Sequence, residues 1–146
     1  MMETDVTNRQ HCEELVEASE TIGPVHILIN CAGCMYFTLM KNCQKDEWDR
    51  MIDVNCKGTV NMCGAVLPYL MKRKAGHILN ISSDAARMVF PALSVYCASK
   101  AFVKMFTKGL RAECVGTGIK VTDIQPGDVK TELIMSNSDK EAAEKV

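Results

Sequence analysis

The sequence predicts an α/β fold, in which three main parallel strands alternate with flanking helices. Short continuous apolar runs at 25–30, 76–82 and 119–125 are separated by longer segments whose apolar residues recur at helical spacing. Such runs are typical of strands covered on both faces, and their alternation with helices indicates right-handed crossovers between parallel strands. Residues 1–146 are therefore predicted to form one domain with a doubly wound parallel sheet.

The first two predicted helices lie before and after the first strand. The first runs from about 8 to 21, with Thr7 as its N-cap, and the Gly-Pro pair at 23–24 ends it. The second helical pattern extends from 46 to about 73. Pro68 lies within it, which predicts a kink or an early stop because proline cannot donate the helical hydrogen bond.

The third predicted helix, 94–114, carries two residues of chemical interest. Tyr96 and Lys100 are i and i+4, so a phenol and an ammonium share one face of the helix. A cation in that place favours the phenolate and is expected to lower the pKa of the tyrosine. The polar tail has helix-forming residues over 139–146 and is expected to be a frayed or mobile end.

The carboxyl ends of the three strands are expected to meet at one edge of the sheet, where ligands of doubly wound proteins bind. Those ends carry the segments 30–33 and 126–131 and the hydroxyls of Ser82 and Ser83. Ser83 precedes Tyr96 by thirteen residues. The chemically interesting side chains are therefore expected to gather at one edge.

Composition excludes several classes of function. A net charge of −1 and a pI near 6.3 give no support for binding nucleic acid or an anionic membrane surface. No apolar run approaches the roughly twenty residues that span a bilayer, and the first residues are not expected to form a signal peptide. The eight cysteines fall mainly within apolar or helical patterns. They are expected to be reduced, mostly buried thiols in a cytoplasmic protein.

A Cys-x-x-Cys turn formed by Cys31 and Cys34 raises a different hypothesis, a thiol-redox pair or half of a zinc site. The stretch after Cys34 is extended and apolar, whereas thioredoxin-like motifs open a helix directly. No second Cys-x-x-Cys or histidine pair supplies further zinc ligands, and His11, His26 and His77 lack partners at metal spacing. Incidental cysteines are favoured, and no metal site is predicted.

Several motifs occur together in a fixed order. They are Asp5-Val6, Asn30-Cys-Ala-Gly33, Asp53-Val-Asn-Cys-Lys-Gly58, the set Ser83, Tyr96 and Lys100, and Pro126-Gly-Asp-Val-Lys-Thr131. With them the chain resembles the classical short-chain dehydrogenases/reductases (SDRs), NAD(P)-dependent enzymes with a Rossmann fold. Cys31 stands where that family's loop motif has a second asparagine. The motifs are jointly specific, although each alone is weak.

The resemblance implies a set of site residues. The catalytic residues would be Asn55, Ser83, Tyr96 and Lys100. The cofactor would be NAD or NADP, bound by Asp5, Val6, Asn30, Ala32, Gly33, Tyr96, Lys100, Pro126, Gly127, Val129 and Thr131. Asp5 and Val6 would contact adenine, and the segment from Pro126 to Thr131 the nicotinamide end. The substrate pocket wall is expected at 84–93, with Asp128 and 132–135.

The resemblance also implies a reaction, hydride transfer that interconverts a carbonyl and an alcohol on a small molecule. Tyr96 would be the general acid or base, Lys100 would lower its pKa and bind the nicotinamide ribose, and Ser83 would donate to the substrate oxygen. Asn55 would hold a water that joins Lys100 to solvent. Two alternatives stay open: Ser82 competes with Ser83, and Asn55 is equally well interpreted as a buried amide satisfied by backbone.

The family's Thr-Gly-x-x-x-Gly-x-Gly loop, its second strand and its substrate lid have no counterpart in the sequence, so the chain is expected to be a fragment of a longer enzyme. The determinants of NAD or NADP preference are absent with them. The strand at 25–30 is then expected to be an exposed apolar edge on a marginally stable, aggregation-prone chain. Homo-oligomerisation is expected of the full-length form. A non-catalytic chain that pairs through helices 46–73 and 94–114 remains an alternative.

Overall fold

The computed structural model describes residues 2–129, 133 and 139–143. Its helices are α1 (Arg9–Ile22), α2 (Lys45–Met51), α3 (Thr59–Arg73), α4 (Ser94–Glu113) and α5 (Lys140–Ala143), and its strands are β1 (Ile27–Asn30), β2 (Gly76–Ile81) and β3 (Ile119–Ile124). A π-helical segment, Ile52–Gly58, joins α2 to α3. Short 3-10 turns lie at Met40–Asn42 and Asp84–Ala86. The predicted order of strands and helices is confirmed.

The three strands form a parallel sheet in the order β1-β2-β3. Asn30 of β1 lies beside Asn80 of β2, and Ile81 lies beside Ile124 of β3. The predicted α/β fold class, a parallel sheet flanked by helices, is confirmed for the described strands. The register brings the three carboxyl ends to one edge, so the segments that follow them share one region.

The main core lies between the sheet and helices α1, α3 and α4. Its buried apolar residues are Cys12, Val16, Met62, Cys63, Val66, Leu70, Ile78, Leu110, Cys114, Ile119 and Val121. These residues alternate with more exposed ones along β2 and β3, so the core covers one face of the sheet. On the other face of the described sheet, Ile27 and Ile29 are each 59% exposed. The expectation of strands covered on both faces is therefore wrong for β1.

Strand β1 lies at one end of the sheet and pairs only with β2 among the described strands. Its free side carries backbone groups that no described strand uses. The expectation of an exposed apolar edge at this strand is confirmed by the exposure of Ile27 and Ile29. Low stability and aggregation remain predictions.

Helix α1 begins at a different cap from the one expected. Asn8 is the N-cap, and its side-chain oxygen accepts hydrogen bonds from the N–H groups of Gln10 (3.0 Å) and His11 (3.4 Å). The hydroxyl of Thr7 instead donates to the carboxylate of Asp5 at 2.9 Å. Because the Thr7 hydroxyl is hydrogen-bonded to Asp5, it does not cap the helix. The prediction of Thr7 as the N-cap is wrong.

The helical segment that contains Pro68 does not stop early. Helix α3 continues past Pro68 to Arg73. Gly64, whose carbonyl would accept the missing helical hydrogen bond, is exposed, so solvent can reach that carbonyl. The irregularity of this long segment lies earlier, in the π-helical turn at Ile52–Gly58.

The described part of the tail is attached to the rest of the chain. Asp139 is 5% exposed, and its carboxylate accepts hydrogen bonds from the N–H groups of Leu39 and Ala142, both at 3.1 Å, and from the side chain of Asn42. Ala142 is fully buried. For 139–143 the expectation of a frayed end is wrong, because a buried carboxylate holds α5 to the segment before α2; 144–146 lie outside the described residues. Within the described chain, no helix has the length and apolar character to cross a membrane.

Candidate active site

A cavity of about 770 Å³ lies at the carboxyl ends of the strands. Gly33 contributes to its wall from the loop after β1, and Ser83 from the end of β2. Tyr96 and Lys100 line it from α4, and Gly127 from the turn after β3. The predicted convergence at one sheet edge therefore brings together side chains from four parts of the chain.

Tyr96 and Lys100 both face this cavity and are each 7% exposed. The Lys100 ammonium lies 5.7 Å from the centroid of the Tyr96 ring. It donates a 3.0 Å hydrogen bond to the carbonyl of Ile81, the last residue of β2. The i and i+4 spacing on α4 therefore places both groups on one face, as predicted.

The electrostatics of Tyr96 differ from the expectation. Burial raises the pKa of the Tyr96 phenol, a hydrogen bond with the Ser83 side chain acts in the opposite direction, and the Asp84 carboxylate raises the pKa further. The predicted lowering of this pKa is therefore not found, because burial of the phenol outweighs the hydrogen bond with Ser83.

Lys100 is itself perturbed by its surroundings. Burial lowers the pKa of the ammonium, while the nearby thiols of Cys31, Cys34 and Cys56 act in the opposite direction. The thiols of three cysteines are therefore near enough to act on the charge of Lys100, and two of them, Cys31 and Cys34, line the cavity. No pattern in the sequence predicts this arrangement, because the three cysteines belong to a loop and to the π-helical segment.

The structure separates the two candidate serines. The Ser82 hydroxyl donates to the Asp123 carboxylate on β3. The Ser83 hydroxyl donates to Asp84 Oδ1 at 3.0 Å and accepts from the N–H of Ala85 at 3.1 Å. Both serines line the cavity, but Ser83 is the one that interacts with Tyr96. This geometry favours Ser83 over Ser82.

Asn55 is fully buried, and its amide connects two elements. The amide nitrogen donates to the Cys34 carbonyl (2.9 Å) and to the Ser99 hydroxyl (3.0 Å), and the amide oxygen accepts from the Cys34 N–H (2.9 Å). Both amide donors are therefore used within the protein. This arrangement matches a buried amide that is largely satisfied by backbone, and Ser99 is a partner that sequence reasoning missed.

The predicted cofactor residues divide into two groups. Those that line the cavity are Gly33, Tyr96, Lys100, Pro126, Gly127 and Val129. Asp5, Val6, Asn30 and Ala32 are not among its described lining residues. Asn30 instead donates to the Asn80 side chain at 2.8 Å, and Asp5 accepts from Thr7. Thr131 lies outside the described residues, as do most of the pocket-wall positions expected at 132–135.

The Cys-x-x-Cys turn also lines the cavity. Cys31 is exposed, whereas burial raises the pKa of the Cys34 thiol. A redox-active pair requires an acidic thiol, so this shift has the opposite direction from the one that redox chemistry needs. Among the described residues, no three His, Cys, Asp or Glu side chains form a group that could hold a metal ion.

Three known proteins that resemble this chain are named as a reductase, an oxidoreductase and a dehydrogenase. A glycine betaine reductase of Emericella nidulans, ATRR, is 51% identical over 143 residues, which is 97% of this chain and 11% of that protein. An uncharacterized oxidoreductase of Staphylococcus saprophyticus is 45% identical over 94% of this chain and 57% of its own length. The closed form of a serine dehydrogenase complexed with NADP⁺ superposes with a TM-score of 0.89 at 38% identity, covering 99% of this chain and 60% of that one.

The chain thus spans less than two thirds of the length of these relatives. The family profile described as short chain dehydrogenase matches residues 1–142, which is nearly the whole chain. The motifs at the strand ends, the parallel sheet and this match agree with one another. The chain belongs to the short-chain dehydrogenase family.

Proposed function

We propose that this chain carries the acid/base part of an NAD(P)-dependent oxidoreductase that interconverts a carbonyl and an alcohol. The observation that supports it best is the meeting of Ser83, Tyr96 and Lys100 on the wall of one cavity. A hydroxyl donor, a phenol and an ammonium within one enclosed space can polarise a carbonyl and transfer a proton to it.

The residues of the cavity fit the nicotinamide end of a dinucleotide. A Cβ atom at Gly33 would lie 3.3 Å from Asn55 Oδ1 and 3.6 Å from Lys100 Nζ, so glycine keeps space open beside the ammonium. Lys100 has donors beyond the one used by Ile81. We propose that Gly33, Lys100, Gly127 and Val129 hold this group, as NAD or NADP. When bound, the nicotinamide supplies or accepts the hydride.

Tyr96 is the proposed general acid in the direction of carbonyl reduction. Because burial raises the pKa of its phenol, the proton is present at neutral pH and available for the substrate oxygen. In the direction of alcohol oxidation the phenol must first lose that proton. Oxidation is therefore expected to accelerate as the pH rises towards the raised pKa of Tyr96.

Ser83 and Asn55 have different proposed roles. The Ser83 hydroxyl, now directed at Asp84, would turn to donate to the substrate oxygen as negative charge develops there. Asn55 is a positioning residue, because its amide joins the Cys34 backbone to Ser99 on the helix that carries Tyr96. The water relay implied by the family resemblance would have to use groups of Asn55 other than its amide donors.

A pair of tyrosine variants tests the proposal. Tyr96→Phe should retain NADPH binding, measured by nicotinamide fluorescence, and lose at least about a hundredfold in carbonyl reduction, because only the transferable proton is removed. Tyr69→Phe, which removes a hydroxyl outside the cavity, should change neither property. Failure of the chain to bind either NADPH or NADH would contradict the proposal, as would full activity in Tyr96→Phe.

We also propose that the chain associates with a second copy through α3 and α4. Val60, Phe102 and Met105 are 36%, 43% and 66% exposed, and the Phe102 ring stacks on Phe106 at a centroid distance of 6.1 Å. Met105→Lys should shift the sedimentation coefficient towards that of the monomer. A wild-type chain that sediments as a monomer at about 100 μM would contradict this assembly.

A further inference from the structure

The described lining of the cavity carries more negative than positive charge. Among the described residues that line it, Asp84 and Asp128 are acidic and Lys100 is the basic residue. The Lys100 ammonium is already hydrogen-bonded to the Ile81 carbonyl. None of the salt bridges between described residues involves either aspartate. The two carboxylates therefore lack a cationic partner in the described chain.

Asp84 is held close to the proposed reacting centre. Its Oδ1 accepts the 3.0 Å hydrogen bond from Ser83, and its backbone N–H donates to the Pro126 carbonyl at 3.0 Å. Its second oxygen, Oδ2, lies 3.6 Å from the place that a Cβ of Gly127 would occupy. The carboxylate thus sits between the end of β2 and the turn after β3, one hydrogen bond away from the hydroxyl that would contact the substrate oxygen.

The remaining walls suit an organic cation. Asp84 is near enough to Tyr96 to raise the pKa of its phenol, so its charge acts on the same space. Phe37 and Phe90 line the cavity with Tyr96, and aromatic faces attract ammonium groups. A substrate carboxylate would instead be repelled by Asp84 within the cavity and by the more exposed Asp128, which is unfavourable.

We propose that this cavity selects substrates that carry an ammonium group close to the carbon bearing the reacting oxygen, with Asp84 as the specificity-determining residue. The inference rests on the proposed function for the location of the reacting centre. The ammonium would bind Asp84 Oδ2, the carboxylate oxygen that does not accept the Ser83 hydrogen bond. Asp128, which is exposed at the rim, would add attraction at longer range.

Two probes of nearly equal shape test the charge preference. Choline and 3,3-dimethylbutan-1-ol differ chiefly in the replacement of a quaternary nitrogen by carbon. With the wild-type chain in low-salt buffer, choline should bind at least about tenfold more tightly in calorimetric or NMR titrations. Asp84→Asn should reduce that ratio to about one and leave the neutral alcohol within about twofold. Asp49→Asn, which removes an exposed carboxylate on α2 away from the cavity, should keep the ratio.

The two measurements, probe binding and NADPH binding, test the charge preference and the proposed function separately. Equal affinities for the two probes, or the absence of binding by both, would overturn the inference and leave Asp84 as an acid in the first turn of a 3-10 helix. An unchanged ratio in Asp84→Asn would also overturn it. NADPH binding by the same samples tests the proposed function separately, so normal NADPH binding without a charge preference rejects the inference alone.

Discussion

Lys100 is a charged side chain that is almost completely buried. The side chain is 7% exposed, and its hydrogen bond within the described chain goes to the Ile81 carbonyl. None of the salt bridges between described residues includes it. A buried ammonium without a carboxylate costs folding free energy, and burial accordingly lowers its pKa. The buried charge of Lys100 is therefore better explained by a role in ligand binding than by a contribution to the stability of the fold.

Replacing this charge should therefore stabilise the chain and impair ligand binding. Lys100→Met is expected to raise the free energy of unfolding by about 1 kcal/mol at neutral pH. Because the folded state has the lower pKa, the wild type regains stability as the pH rises towards 10.5, and the difference between the two proteins should shrink. Urea denaturation at pH 7 and pH 10 measures both effects.

The control for this comparison is Lys108→Met, which removes an exposed ammonium from the same helix. Its effect on the free energy of unfolding should be within about 0.5 kcal/mol. NADPH binding should weaken in Lys100→Met alone. A Lys100→Met variant that is less stable than the wild type at neutral pH would show that the ammonium stabilises the fold.

At the scale of the elements, a chain of polar side chains ties the sheet to α4. The Asn30 side chain of β1 donates to Asn80 Oδ1 of β2 at 2.8 Å, and Asn80 Nδ2 donates to the Thr107 hydroxyl at 2.9 Å. Asn80 and Thr107 are fully buried. A buried polar group costs free energy unless it is hydrogen-bonded, so this connection fixes how α4 lies on the sheet.

Removing the Thr107 hydroxyl should reveal that cost. Thr107→Val preserves the shape of the side chain but leaves the Asn80 amide with an unsatisfied donor, which is expected to destabilise the chain by about 1–3 kcal/mol. Thr21→Val, on the exposed last turn of α1, should change the free energy of unfolding by less than about 0.5 kcal/mol. Equal effects in chemical denaturation would mean that the buried connection has no special energetic role.

Sequence patterns predicted those elements whose formation depends on local apolar spacing. The strand around Ile78 and the helix around Tyr96 lie within two residues of their predicted bounds, because apolar runs and helical periodicity are local properties. The spacing of Tyr96 and Lys100 also predicted that both would face one site. The part of the cavity that Tyr96 and Lys100 form was therefore accessible from the sequence.

Other features depend on partners far away in the chain. The π-helical segment contains Asn55, whose amide bonds to Ser99, 44 residues later. The Asp139 carboxylate accepts a hydrogen bond from the N–H of Leu39, 100 residues earlier. The direction of the shift in the Tyr96 pKa depends on how deeply the phenol is buried. The local spacing of residues in the sequence does not predict this burial. These features required the three-dimensional arrangement.

At the scale of the whole molecule, the described sheet presents an uncovered apolar surface. Ile27 and Ile29 of β1 are each 59% exposed and Ile124 of β3 is 38% exposed. β1 also has a side that no described strand pairs with. Apolar side chains beside unpaired backbone groups favour pairing with other chains. The isolated chain is therefore predicted to self-associate through this surface.

Two polar substitutions on β1 should reduce this association. A double variant, Ile27→Thr with Ile29→Thr, keeps strand-forming side chains and removes much of the exposed apolar surface, so light scattering should increase more slowly on warming. Val115→Thr, at an exposed valine in the turn after α4, serves as the matched control and should aggregate like the wild type. Identical scattering curves for all three proteins would locate the association elsewhere.

The thiols around Lys100 offer a chemical handle for ligand discovery. Of the eight cysteines, Cys31 and Cys43 are exposed, and only Cys31 of these two lines the cavity. In a Cys43→Ser background, a library of small disulfides or mild electrophiles would therefore react first beside Gly33 and the lysine. Fragments retained there by covalent capture, read out by intact-protein mass spectrometry, would report which chemical groups the cavity accepts. The loop cysteine that replaces an expected asparagine thus turns the cavity into a site for tethering.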